Sequence, residues 1–344
     1  MPDAESVYGT YKTDQMIRST KAALVLLLSA FTFASCEKGS DGNVGVVTPT
    51  DPSNKSGLNK LFAPLKTPVQ IFSVTAGDTS IRYGMMGTKL TFYANSFIGR
   101  DAKIIDAGKV DVHLIEVYRP GPMAANRITT TSTGKVIMTS GMAYIKAFHN
   151  GDEVFPTKYG IGFRQPTGIT SPVNLFTGHR NTVDSIMAWS PVNNLPGTFA
   201  AETVIDSIQS STTAMYQFDS VAHFNWVAAG RFFNTTAAKT NLEVVIKDES
   251  FNASNTQVFL VYPDINSMTM FDKYSKQSPN TIFNLADPYL APLNMQVHII
   301  GIANKDGVFY YDQLLNKTTS STFTDTLRFQ PKSINDILTD LGGI

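Results

Sequence analysis

Gly108-Lys-Val-Asp-Val-His-Leu-Ile-Glu-Val117 is the stretch whose reading decides the fold. Val110, Val112 and Leu114 share one parity, and Asp111, His113 and Ile115 share the other. A period of two sends alternate side chains to opposite faces of a strand, so this stretch reads as a β-strand buried on one side. Arg119-Pro-Gly-Pro122 follows and ends it, because proline cannot donate to a sheet ladder. The neighbouring chain repeats the pattern. Val69-Gln-Ile-Phe-Ser-Val74 precedes the turn signal Gly77-Asp78, and Gly87-Thr-Lys-Leu-Thr-Phe-Tyr93 carries Leu90 and Phe92 on one face. Gly141-Met-Ala-Tyr-Ile-Lys-Ala-Phe148 alternates again and runs into Asn150-Gly151, a pair suited to the tight turn of a hairpin. Short strands spaced by turns predict a β-sandwich over residues 66–165.

Toward the C-terminus, residues 166–235 are rich in Pro, Gly and Thr and are expected to form a connecting β-rich segment. Within it, Met215-Tyr-Gln-Phe-Asp-Ser-Val-Ala-His-Phe-Asn-Trp226 alternates. A second β-sandwich module is expected over residues 236–344. Leu242-Glu-Val-Val-Ile246 and Thr256-Gln-Val-Phe-Leu-Val-Tyr262 are rich in β-branched and aromatic residues. Two more strands flank Asn304-Lys-Asp-Gly307, a second hairpin signal, and a last strand spans 322–329. From Ser333 the period changes. Ile334, Ile337, Leu338 and Leu341 share one helical face, Ser333 can cap it, and Gly342-Gly343 stops it. The expected fold class is therefore all-β, with two β-sandwich-like modules and a short C-terminal helix.

Toward the N-terminus the chain changes character. Arg18 and Lys21 precede the apolar run 22–34, and Ala34-Ser35 stand before Cys36. A positive region, an apolar core and small residues in that order form a secretory signal. Thirteen residues make about 20 Å of helix at ~1.5 Å per residue, against about 30 Å of bilayer core. Residues 1–36 thus read as an N-terminal extension plus signal peptide. Met16 is the better start, since residues 1–15 carry Asp3, Glu5 and Asp14 and no apolar core. Residues 37–65 read as a flexible tether, Gly-, Ser- and Pro-rich.

Cys36 is the sole cysteine, so no disulfide can form within the chain. Phe33-Ala34-Ser35-Cys36 resembles a lipobox, with Phe33 at the position usually held by an aliphatic residue. That resemblance implies lipidation of Cys36 and a membrane anchor, since each buried CH₂ of an acyl chain adds about 0.8 kcal/mol. The run Gly87-Thr-x-Leu-x-Phe, Ala94-Asn-Ser-Phe97, Gly108-x-Val-x-Val-x-Leu-Ile-Glu116, Thr133-Gly-Lys135, Ser140-Gly-Met142 and Asn150-Gly151 resembles a module recurrent in Bacteroidota cell-envelope lipoproteins. That module is similar to the β-sandwich of ankyrins, netrin receptors and zona occludens proteins. In the same lipoproteins a Trp…Arg-Phe element matches Trp226, Arg231 and Phe232. The resemblance implies a contact or structural module, located at the outer membrane on the cell-surface or periplasmic face.

Composition narrows the partners. The formal net charge is zero, which argues against nucleic acid, whose binding calls for a basic face. His113, His149, His179, His223 and His298 are scattered, with no paired metal-ligand spacing, so no metal or cofactor is expected. No nucleophile elbow, phosphate loop or dinucleotide fingerprint is present. Asp264 and Asp272 lack calcium-loop spacing. Asp111 and Glu116 read equally as members of a carboxylate pair, which only geometry can decide, or as outward strand charges. His223-Phe-Asn225 is similar to a His-Phe-Ser element that cleaves its own backbone in relatives of the sandwich, but Asn225 replaces the hydroxyl nucleophile; an aromatic strand packing Phe224 or Trp226 is the plainer reading. Asp184-Ser-Ile, Asp206-Ser-Ile, Asp219-Ser-Val and Asp325-Thr-Leu match a three-residue O-glycosylation pattern of Bacteroidota, or else mark solvated turns. The expectation is an anchored structural or binding protein for a glycan or protein ligand, without catalysis. The alternatives are an envelope hydrolase acting on glycan or peptide, and a fimbrial-type adhesin subunit.

Overall fold

Alternation in the 108–117 stretch becomes real burial. In the strand Lys109–Val117 the side chains of Val110, Val112, Leu114 and Glu116 are buried, while Lys109 and Asp111 are exposed. The computed structural model describes residues 55–344 except 166–171, 182–185, 206–209 and 286–289. The signal region, the alternative start Met16, the lipidation candidate Cys36 and residues 37–54 of the tether lie outside the described residues.

The architecture is all-β with a short C-terminal helix. In the first sandwich one sheet runs Met187–Pro196, Asn174–Arg180, Asn225–Phe232, Lys135–His149, Lys109–Val117 and Gln70–Thr75, each strand antiparallel to the next. The facing sheet runs Thr198–Ile205, Ser210–Val221, Tyr159–Arg164, Lys89–Phe92 and Ser80–Tyr83. Between them lies a core of Val112, Leu114, Leu90, Phe92, Phe163, Phe218 and their neighbours. Asn150-Gly151 turns the chain between His149 and Asp152, and Asp306-Gly307 does so between Lys305 and Val308. All four turn residues have positive φ, as two-residue hairpins of this type require.

Two sequence expectations change here. Residues 166–235 are not a connector: they supply five strands, and Asn225–Phe232 sits between Lys135–His149 and Asn174–Arg180 in mid-sheet. Its Ala228, Ala229 and Gly230 are small, the register with Lys135–His149 shifts between Ala229 and Gly230, where a Cβ on Gly230 would lie 2.6 Å from Met138 O, and composition alone hid the strand. Residues 55–65 do not belong to the tether. They form helix α1 (Lys55–Phe62) and a 3₁₀ turn, Ala63–Leu65, whose Leu58, Leu61, Phe62 and Leu65 are 1–4 % exposed. Their spacing of three, four and seven is a helical stripe, masked by the preceding Ser-Asn-Lys-Ser-Gly.

The second sandwich packs the sheet Lys273–Gln277, Asn280–Asn284, Glu243–Ile246, Thr324–Leu327 against Ser267–Phe271, Thr256–Tyr262, Gln296–Lys305, Val308–Thr318 and Gln330–Pro331. Glu243–Ile246 and Thr324–Leu327 are parallel. Every residue of Thr256–Tyr262 is buried, on both faces, because a third apolar layer lies beyond it. That layer is a seam between the sandwiches. Val117, Ile137, Met142 and Trp226 of the first meet Phe259, Val261, Met268, Ile300 and Ile302 of the second. Helices α1, α2 (Pro120–Ala125) and α3 (Ile334–Gly342) add Phe62, Met123, Ile337 and Leu341 to it. Hydrogen bonds cross the seam: Thr130 N–H donates to Met268 O at 2.7 Å, and Asn266 Nδ2 donates to Thr139 O at 3.1 Å. Ser333 caps α3 by accepting from Asp336 N–H, as the sequence predicts.

Candidate functional site

One cross-strand row on the seam-side face of the first sandwich carries Tyr144, Trp226 and Trp189. Ile115 pairs with Tyr144, Tyr144 with Trp226, Trp226 with Gly178 and Gly178 with Trp189, across five neighbouring strands. Residues opposite one another on adjacent strands bring their side chains within contact distance. The Tyr144 and Trp226 rings lie 5.3 Å apart at 47°. Gly178 is where the row needs no side chain: a Cβ there would come within 2.8 Å of the Trp189 ring and 2.9 Å of Trp226 Cβ. Trp189 is held by its indole N–H, which donates to Thr129 O at 2.6 Å. The row runs from the buried Trp189 and Trp226 to the half-buried Tyr144 and Ile115.

Two adjoining hollows of about 420 and 250 Å³ share Gly178, His179, Asn225 and Trp226 in their walls. The larger falls in the size range of small-ligand sites, about 300–1,000 Å³. Its apolar wall is Ile115, Tyr144 and Trp226; its polar rim is Lys66, Asn126, His179, Arg180 and Asn225. Lys66, His179 and Asn225 are exposed. The guanidinium of Arg180 lies 5.9 Å over the Trp226 ring and donates to Asn126 O at 2.5 Å and Arg127 O at 3.1 Å. Burial lowers the pKa of Arg180. Asn126 in turn donates to Thr67 Oγ1 at 2.7 Å and Pro122 O at 2.8 Å, tying the Lys66 segment to α2. The smaller hollow carries one carboxylate, Glu153, which accepts from Lys146 at 2.9 Å and raises the pKa of that lysine.

No protein-family model matches the chain, and no curated protein matches it.

A third hollow, about 440 Å³, lies where the sandwiches meet, lined by Met86, Tyr118, Arg119, Arg164, Asp264 and others. Burial holds the Tyr118 hydroxyl well above the usual phenol range. It shares a 2.9 Å hydrogen bond with Thr88 Oγ1. Among the described residues, neither this hollow nor the other two brings two side-chain carboxylates into one wall.

The residues singled out from the sequence are dispersed. His298 Nδ1 accepts from Asn316 N–H at 3.0 Å within its sheet, and the His113 ring rests 4.8 Å from Phe148. Among the described residues no three His, Cys, Asp or Glu side chains gather as a metal site. Asp111 is exposed and accepts from Ser73 Oγ at 2.5 Å, whereas Glu116 is 3 % exposed, so of its two readings the outward strand charge does not hold. It has the same parity as Val110, Val112 and Leu114, and its carboxylate accepts from Thr88 N–H, Met86 N–H and Gln70 Nε2, each at 2.8 Å. Phe224 and Trp226 are both buried, on opposite faces of the sheet, and His223 O accepts from Tyr159 OH at 3.0 Å. Ser220 is exposed and Thr326 is half-buried in a paired strand, while Ser185 and Ser207 lie outside the described residues. Sequence reading placed Tyr144 and Trp226 in strands but did not join them. The signal was available: Tyr144 has the parity of Lys146, opposite Ala143 and Ile145, so a large ring sits on the outward face.

Proposed function

We propose that this chain is a lipid-anchored protein of the bacterial envelope that binds a saccharide in the Tyr144–Trp226 groove and leaves it chemically unchanged. The observation that carries the reading is the pairing of an aromatic wall with an amide, imidazole and ammonium rim. Sugar rings present apolar C–H faces and a hydroxyl edge, so they match a ring wall bordered by hydrogen-bonding groups. Retaining or inverting glycoside hydrolysis needs two carboxylates about 5–9.5 Å apart across the scissile bond, and among the described residues the groove walls offer Glu153 alone, engaged by Lys146. Neutral net charge agrees with a partner that is not nucleic acid. The anchor rests on the sequence around Cys36; among the described residues no helix is long and apolar enough to cross a membrane.

A glycan panel read by tryptophan fluorescence tests the groove. Binding is expected to alter the emission and to weaken about ten-fold in Tyr144→Ala, the loss expected when one ring contact worth about 1–2 kcal/mol is removed. A panel in which nothing binds, or binding untouched by Tyr144→Ala, refutes the reading. The anchor is tested separately by Cys36→Ser, which is expected to move the protein out of the membrane fraction; unchanged partitioning refutes it.

A further inference from the structure

The two adjoining hollows lie at a fork in the large sheet of the first sandwich. Strand Lys135–His149 pairs with Lys109–Val117 along one edge. Two strands share its other edge end to end: Asn225–Phe232 takes residues 137–145, and Asp152–Pro156 takes residues 147–149. Lys146 falls between them. Both arms of the fork wall the smaller hollow, through residues 153–156 of one and residues 222–226 leading into the other. The larger hollow continues from it past four shared residues, Gly178, His179, Asn225 and Trp226. Each hollow adds a ring the other lacks, Tyr144 in the larger and Phe155 in the smaller. Trp226 is 7 % exposed and forms a common floor, whereas Phe155 is 39 % exposed. A ligand that rests on both Tyr144 and Phe155 has to pass over Trp226, so it needs more than one ring of its own.

Asn225 stands at the junction. It borders both hollows, it is exposed, and its backbone lies in the left-handed region at φ 77°. Asparagine tolerates that region better than most residues, but glycine enters it at no steric cost. The position therefore carries an amide where backbone conformation alone favours no side chain. An amide offers a donor and an acceptor together, which suits the paired hydroxyls along a sugar chain.

Resting on the saccharide reading above, we infer that the two hollows are one groove for an oligosaccharide chain, with sugar rings on either side of Trp226. Tyr144 carries a ring in the larger hollow and Phe155 carries one in the smaller. Asn225 is the specificity-determining residue between them, hydrogen-bonding the chain where it crosses from one hollow to the other.

The experiment titrates the full folded chain with ladders of xylo-, cello- and manno-oligosaccharides from one ring to six, following tryptophan emission and calorimetric heat. In at least one ladder, affinity is expected to rise about ten-fold or more from disaccharide to tetrasaccharide and then to level off. Phe155→Ala is expected to weaken the tetrasaccharide about five-fold more than the disaccharide. Asn225→Gly is expected to leave Tm close to the parent's, because glycine accepts the left-handed backbone. The same variant is expected to weaken the tetrasaccharide about five- to ten-fold, the loss of one or two hydrogen bonds. Binding that is already complete with a disaccharide, or a tetrasaccharide indifferent to Phe155→Ala, overturns the joined groove while the saccharide reading stands. Tetrasaccharide affinity unchanged in Asn225→Gly overturns the role of Asn225. Ladders in which nothing binds overturn this inference together with the saccharide reading.

Discussion

Glu116→Gln is the sharpest probe of how the first sandwich holds its rim. The carboxylate is 3 % exposed. Its Oε1 accepts from Thr88 N–H, and its Oε2 accepts from both Met86 N–H and Gln70 Nε2. Gln70 returns the favour to the same turn, its Oε1 accepting from Met85 N–H at 2.8 Å. A glutamine has the same shape but only one acceptor oxygen. The side chain minimises the damage by keeping that oxygen at the Oε2 site and turning its NH₂ toward Thr88. Donor then faces donor, and the buried Thr88 N–H loses its partner, at about 1–3 kcal/mol. The two surviving bonds lose their charge assistance, roughly half their strength. Together the change costs about 2–4 kcal/mol. At roughly 2–4 °C per kcal/mol for a body of 150–250 residues, Tm falls by about 4–16 °C. Urea titration supplies the free energy, and amide exchange supplies the location: Thr88 is expected to exchange faster than in the parent, with Met86 following. A free-energy change under about 0.5 kcal/mol, the range of an ordinary surface substitution, would refute the reasoning. So would an unaltered Thr88 amide. Gly84 offers an independent check, because a Cβ there would sit 2.3 Å from Glu116 Oε2, so Gly84→Ala is expected to loosen the same amides.

Three further predictions concern the helices and the tyrosines. Gly121→Ala places a methyl 1.7 Å from Leu341 O, a backbone atom of α3, so it drives α2 and α3 apart and lowers stability by about 1–3 kcal/mol or more in a urea titration. Ser333→Ala removes the cap that accepts from Asp336 N–H and is expected to cost about 1 kcal/mol, with Ser333→Asp recovering most of it. Burial raises the hydroxyl pKa of Tyr159 and Tyr262; the folded state holds them neutral where the unfolded chain, near pKa ~10, would ionise. Their contribution is complete below that value and declines as pH climbs through and beyond it. Phenolate absorbance is therefore expected to appear in at least two phases, the late one coincident with unfolding; all 13 tyrosines titrating together in a folded protein would contradict this.

Particular residues show what the sequence exposed and what it hid. The Gly108–Val117 alternation and the Asn150-Gly151 and Asp306-Gly307 turns are local properties, and local chemistry is enough to read them. The Ser333 cap and the α3 stripe are local as well. Glu116 was legible from parity, but a carboxylate inside requires donors brought from residues 70 and 84–88, about 30 or more positions away. The groove is harder still. Ile115, Tyr144, Gly178 and Trp226 belong to four strands, and nothing in any one strand reveals the register that aligns them. Residues 166–235 were misjudged because Pro, Gly and Thr suit both a loop and a strand of small side chains, and only pairing with Lys135–His149 distinguishes the two.

Helix α1 bears on how the body meets a load. The described residues begin with a helix whose Leu58, Leu61 and Phe62 are wedged into the layer shared by both sandwiches, with the Phe62 ring edge-on to Phe259 of the second and 5.9 Å from it. Tension drawn through the N-terminus is thus delivered to the rivet that unites the halves, and not to a peripheral strand that could peel away alone. Extracting that rivet uncovers apolar surface on both halves at once, so the protein yields to pulling as a single piece.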